Sequence, residues 1–172
     1  MKSPPGLFPA LLSLSLTAFA VAQTAPQPAL PPESRQFDFW VGDWEVTTPD
    51  GKPAGTNKIE PVSNGAGLLE NWQGDGQTGG GSGKSLNTYN AGKKQWQQFW
   101  VGSGGGVLEL AGGMVDGRMV LKGEHEVRGQ RTLERITWTP GADGSVRQLW
   151  DQSTDGGKTW QVVFDGTYRR KK

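Results

Sequence analysis

Five short stretches of this sequence set a carboxylate or amide two or, once, four residues from an aromatic ring. That spacing puts both groups on one face of an extended chain. Leu68, Glu70 and Trp72 make the first row, Ser85, Asn87 and Tyr89 the second, and Trp96, Gln98 and Trp100 the third. Thr132, Glu134, Ile136 and Trp138 make the fourth, and Val146, Gln148 and Trp150 the fifth. So many Trp and Tyr rings turned to water would form large apolar patches, so these rows are expected to face inward. Inward Glu, Asn and Gln then need hydrogen-bond partners. Two arrangements supply them. One is a filled interior with a polar network closed across strands. The other is a partly hydrated pocket whose polar groups orient a ligand against aromatic walls. On the second reading the ligand is held non-covalently by Glu70, Trp72, Asn87, Tyr89, Gln98, Trp100, Glu134, Trp138, Gln148 and Trp150.

Reaction chemistry finds less support. Glu70 and Glu134 could face each other across a lumen as an acid and base, but sequence does not give their separation. His125 is the only histidine and there is no cysteine, so an ordinary zinc site cannot be assembled. A lone histidine can ligate haem iron, yet Gly123-Glu124-His125-Glu126 reads as the approach to a hairpin tip, with a solvated ring. No Gly-x-Ser-x-Gly elbow supports a Ser-His-Asp triad. The run from Gly74 to Gly83 lacks the Gly-Lys-Ser/Thr placement and following helix of a phosphate loop, and reads as a rim loop. We therefore expect no catalytic residues, no metal and no cofactor. The alternatives are a cell-envelope structural or interaction module with a filled core, and a barrel-type enzyme using the buried carboxylates.

Short alternating segments must carry these rows. They are expected at 43–48, 55–63, 67–73, 84–90, 94–101, 106–112, 116–124, 130–139, 145–151 and 159–169. Breakers separate them about every ten residues, among them Asn64-Gly65, Asn90-Ala91-Gly92, Asp116-Gly117 and Arg128-Gly129. Hairpin-length links imply sequential antiparallel neighbours, so the fold class is all-β: a single up-and-down barrel of about ten strands. Ten strands enclose more than eight do, which favours a central cavity. Ahead of them, Phe37-Asp38-Phe39-Trp40-Val41-Gly42-Asp43-Trp44-Glu45-Val46 packs four large aromatics into eight residues. A short helical turn over 37–41, with Ser34 available as a cap, is expected to plug one end. Ser153-Thr154-Asp155-Gly156-Gly157-Lys158-Thr159-Trp160 fits the Asp-box pattern Ser-x-Asp-x-Gly-x-Thr-Trp. A single copy reads as a hairpin between the last two strands, because a sialidase-like propeller needs several.

The N-terminus reads as a secretory signal peptide over residues 1–22. Lys2 is followed by an apolar or small stretch from Leu7 to Ala20, and Ala20-Val21-Ala22 is a small-x-small cleavage site. Residues 23–34 form a Pro-rich flexible segment, and 35–172 the barrel domain. Cleavage after Ala22 sends the chain to the periplasm or outside the cell. It leaves 17 Lys and Arg against 17 Asp and Glu. A neutral surface gives no reason to bind nucleic acid or an anionic membrane. The apolar stretch is short for a membrane span. The expected partner is one small hydrophobic or amphipathic molecule, with the protein a monomer or weak dimer. Without cysteines the fold must rest on its core, and eight Trp supply the area. Arg169-Arg170-Lys171-Lys172 reads as a soluble tail.

Phe37 to Val46, Gly83 to Asn90, Trp96 to Val101, Arg135 to Pro140 and Arg147 to Ser153 together resemble a bacterial exported lipocalin-like family. Gly42-x-Trp44 at the start of the first strand is similar to the first-strand motif of calycin-type β-barrels. The resemblance implies a calycin-type barrel and supplies no catalytic residues. It also implies that Arg169 or Arg170 lies over Trp44, as an arginine of the last strand does in lipocalins.

Overall fold

A computed structural model describes residues 29–76, 80–127 and 129–172. The expected leader, and residues 23–28 of the Pro-rich segment, lie outside them. The alternating segments form ten strands: β1 (Gly42–Thr47), β2 (Pro53–Val62), β3 (Gly67–Gly74), β4 (Ser82–Asn90) and β5 (Gln95–Gly102), followed by β6 (Val107–Val115), β7 (Arg118–Val127), β8 (Gln130–Pro140), β9 (Val146–Ser153) and β10 (Gln161–Arg170). Each pairs antiparallel with the next, and β10 returns to β1, so the sheet closes into a barrel without a free edge. The all-β, ten-stranded, up-and-down architecture is the one expected, and it is consistent with a calycin-like fold.

Strand ends differ from expectation where the backbone turns left-handed. Ser63 and Lys94, expected inside strands, have φ of 52° and belong to turns. Asp116 and Gly117 both have positive φ, 48° and 75°, which is the requirement of a tight two-residue hairpin link. That turn ends β6 at Val115 and delays β7 to Arg118, three residues later and two residues later than the alternation suggests.

The rows of alternating residues face inward, as their aromatic content requires. Register stacks them: Glu70 lies opposite Ser85, Asn87 opposite Gln98, Trp138 opposite Gln148 and Ile136 opposite Trp150. One end of the lumen is filled by the N-terminal segment, whose 3-10 turns cover Pro32–Arg35 and Asp38–Trp40. Phe37 stacks on Trp40 at 4.8 Å and meets Trp96 and Trp138 edge-on at 5.6 and 5.1 Å. Trp44 Nε1 donates to Trp40 O at 2.9 Å, tying the plug to β1. Ser34 does not cap the second turn; its hydroxyl donates to Pro31 O at 2.6 Å. Trp40, Trp44, Trp96 and Trp138 expose 1 % or less. Each buried Trp contributes at most about 4–6 kcal/mol, from roughly 150–250 Å² at about 25 cal/mol per Å². That concentration of area stands in for disulfides.

Two further locks sit at the two ends of the barrel. Arg170 belongs to β10, not to a free tail, and its guanidinium sits 4.5 Å over the Trp44 ring, as the resemblance implied. Lys171 also holds Asp43, by backbone N–H to O at 2.9 Å and by Nζ to Oδ1 at 3.1 Å. At the other end, the Asp155 carboxylate accepts from the Thr159 hydroxyl (2.6 Å), the Thr159 N–H (2.9 Å) and the Ser153 hydroxyl (2.8 Å). These donors, Thr159 first, hold its carboxyl well below the usual carboxylate range. The loop so fixed lays Trp160 on the outer wall, 4.0 Å from the Arg135 guanidinium, which is itself forked onto Asp151 at 2.9 and 2.5 Å. The Asp-box thus closes the β9–β10 hairpin.

Candidate functional site

Beyond the plug the lumen is open, as a cavity of about 900 Å³. Its walls are aromatic: Trp72 from β3, Trp100 from β5, Trp138 and Trp150 from β8 and β9, and Phe164 from β10, with Leu108 and Ile136 between them. Two glycines seat these rings. A Cβ on Gly83 would lie 2.1 Å from the Trp100 ring, and one on Gly166 would lie 2.6 Å from Phe164. The side chain absent from each position is the space in which the neighbouring ring lies. The rim is built from small residues and backbone, including Thr48, Pro49, Gly80 to Ser82 and Gly102 to Gly104, together with the exposed pair Val162 and Val163.

The floor, where cavity meets plug, is polar and continuously bonded. Gln98 Nε2 donates to Asn87 Oδ1 (2.8 Å), Asn87 Nδ2 to Ser85 Oγ (2.8 Å), and Ser85 Oγ to Glu70 Oε2 (2.6 Å). Asn57 Nδ2 donates to Glu70 Oε1 at 2.7 Å and reaches the Tyr168 hydroxyl at 3.4 Å. The Tyr168 hydroxyl donates to Gln148 Oε1 at 2.5 Å, and Trp138 Nε1 donates to the same oxygen at 3.1 Å. This belt draws side chains from β5, β4, β3, β2, β10, β9 and β8. It answers the cost of burying amides and a carboxyl on an inward face.

Glu70 is the electrostatic centre of the belt. It is 4 % exposed, and burial pushes its carboxyl from an ordinary 4.5 up to about 7, against the opposing bonds from Ser85 and Asn57. Burial, and then the nearby Glu70 charge, raise the Tyr168 phenol well above its usual value, so it stays protonated. Asn57 Oδ1 is buried with no donor in the protein.

Of the ten side chains expected in the lumen, seven line the cavity: Glu70, Trp72, Gln98, Trp100, Trp138, Gln148 and Trp150. Asn87 stands behind Ser85 in the belt, and Tyr89 packs at the plug end, 6.2 Å from Trp96. Glu134 is buried in the wall beside the cavity, where Trp150 Nε1 and Gln152 Nε2 donate to its two oxygens. Burial raises its carboxyl, opposed first by the Trp150 bond and then by His125. Glu70 and Glu134 therefore do not share an opening. His125 stands near the β7–β8 hairpin tip, as its sequence setting suggests, but its ring is only partly solvated. It lies within β7 opposite Thr132, with Nδ1 buried 3.3 Å from Glu134 Oε1, and does not line the cavity.

Sequence reasoning passed over Asn57, Tyr168 and Phe164. Their signals were present as the alternations Gly55-Asn57-Ile59 and Phe164-Gly166-Tyr168, with the aromatic and polar groups on the inward face. No family model and no curated protein matches the chain.

Proposed function

We infer that the protein is an exported lipocalin-like barrel that holds one small, partly apolar molecule in its lumen, non-covalently and without metal. The observation that carries this reading is the cavity of about 900 Å³ with five aromatic walls over a hydrogen-bonded floor. Ligand sites are typically about 300–1,000 Å³, mostly apolar, with a few fixed polar groups. A core selected only to stabilise the barrel would fill that space, since each unfilled volume forfeits packing contacts. The protein would act by sequestering or carrying its ligand in the periplasm or outside the cell, as a monomer or weak dimer.

Titration of the purified protein with a panel of lipids, quinones and aromatic metabolites, followed by Trp emission and calorimetry, tests this directly. Saturable binding at one site per chain, weakened in Trp100→Ala, is expected. Flat titrations across the panel would sink the reading. N-terminal sequencing of protein from the periplasmic fraction checks export, with Gln23 as the expected first residue.

A further inference from the structure

The chemistry of the cavity floor narrows the class of guest, given the reading that the lumen binds a ligand at all. We propose that the guest is an organic cation, a protonated amine on an aromatic or aliphatic body. Its ammonium group is seated on the Glu70 carboxylate and its body lies against the tryptophan walls.

Charge accounting carries this assignment. Among the described residues lining the cavity there are two carboxylates, Glu70 and Asp165, and no Lys, Arg or His. Asp165 is already neutralised by a forked pair from Arg147 at 2.8 and 2.7 Å. Glu70 has no such partner. The groups that face it are Asn57 from β2, Ser85 and Asn87 from β4, Gln98 from β5, Gln148 from β9 and Tyr168 from β10. Only Tyr168 among them can ionise, and it is held protonated. A buried carboxylate without a counter-charge is costly, so a cation arriving in the cavity gains what the protein leaves unsupplied.

Hydrogen-bond accounting points the same way. An ionised carboxylate offers about four acceptor positions, and Glu70 receives two donors from the protein. Gln148 Oε1 already takes two, and Asn57 Oδ1 takes none. Around Glu70 the floor is short of donors, which suits an ammonium with its three N–H groups. A carboxylate guest would meet repulsion there, and a hydrocarbon would leave the acceptors unmet. The Trp72, Trp100, Trp138 and Trp150 rings add to the preference, because the negative face of an indole attracts cations. The Glu70 carboxyl titrates at about 7, so an ammonium guest draws it to the ionised form and binding below pH 7 releases a proton.

The test uses three probes with one body: naphthylmethylamine, naphthylmethanol and naphthoate, measured by calorimetry on the full protein. The amine is expected to bind at least tenfold more tightly than the alcohol, with naphthoate weakest. Amine affinity should rise roughly tenfold from pH 6 to pH 8 as Glu70 ionises. In Glu70→Gln the amine and alcohol affinities should converge. Proton release in the wild type, read from the buffer dependence of the heat at pH 6, gives a measure that needs no variant. Equal or tighter binding of alcohol or naphthoate, or no proton release, would overturn the cation assignment while leaving the lumen reading standing. If none of the probes binds and the wider panel is also flat, both fall.

Discussion

The two ends of the barrel use the same residue for opposite purposes. At the plugged end Trp40, Trp44 and Trp96 are covered on all sides, by Phe37, by Tyr168 and by one another's neighbours. At the open end Trp72, Trp100 and Trp150 keep one side toward empty space. A Trp ring buries a large area in either place, but only the plug realises it fully in folding. The walls leave part of that area facing the cavity, where the proposed guest would cover it. Trp138 joins the two regimes, touching Phe37 and Trp40 on one side and the cavity on the other.

This division can be broken by substitution. Trp40→Ala should cost about 3–5 kcal/mol of stability, the range for truncating a fully buried Trp, as read by urea denaturation. Next comes a pH effect centred on the cavity floor. The Glu70 carboxyl is raised in the folded state, so its contribution is full below about 4.5 and is lost as pH rises to about 7. That shift corresponds to about 3 kcal/mol of unfolding free energy between those limits. Denaturation midpoints measured across this window should fall with pH in the wild type and fall less steeply in Glu70→Gln, where the raised Glu134 carboxyl still titrates. A slope undiminished in Glu70→Gln would place the titration elsewhere.

Trp100→Ala should cost less than the plug truncation, about 1–3 kcal/mol, while weakening binding of any lumen guest most. Equal stability losses at Trp40 and Trp100 would erase the distinction between plug and wall. Gly83→Ala should move the Trp100 ring by crowding it, lowering guest affinity several-fold with a stability loss near 1 kcal/mol. The smallest effect is expected for Arg170→Met, about 0.5–1 kcal/mol for losing an exposed cation over Trp44, with no change in binding.

Much of the fold was legible because alternation of period two reports which face a residue takes. It placed Glu70, Gln98, Gln148 and four Trp on the inner surface, and turn residues marked nearly every hairpin. Alternation does not report height along the barrel axis. Tyr89 and Trp100 carry the same inward signal, yet one packs beside the plug and the other walls the cavity. Height is set by the stagger of the closed sheet, which emerges only when β10 meets β1. The Asn57–Tyr168 contact joins residues 111 positions apart across that closure, and no local pattern could announce it. The partial burial of His125 was hidden for a related reason. β7 extends to Val127, so the strand outlasts its hydrophobic alternation and carries the ring against Glu134.

The hydrogen bonds of the belt also have a direction. Gln98, Asn87 and Ser85 each donate to the next, and that arm ends on Glu70, while Tyr168 and Trp138 both end on Gln148. Both arms thus end on acceptors, and because Gln148 Oε1 is already filled, Glu70 alone keeps open positions, which on the proposed reading would fix a head and a tail for a guest. Such a guest would go in head first and leave tail first. Whatever meets the protein at its rim would therefore be offered the same end of the molecule every time.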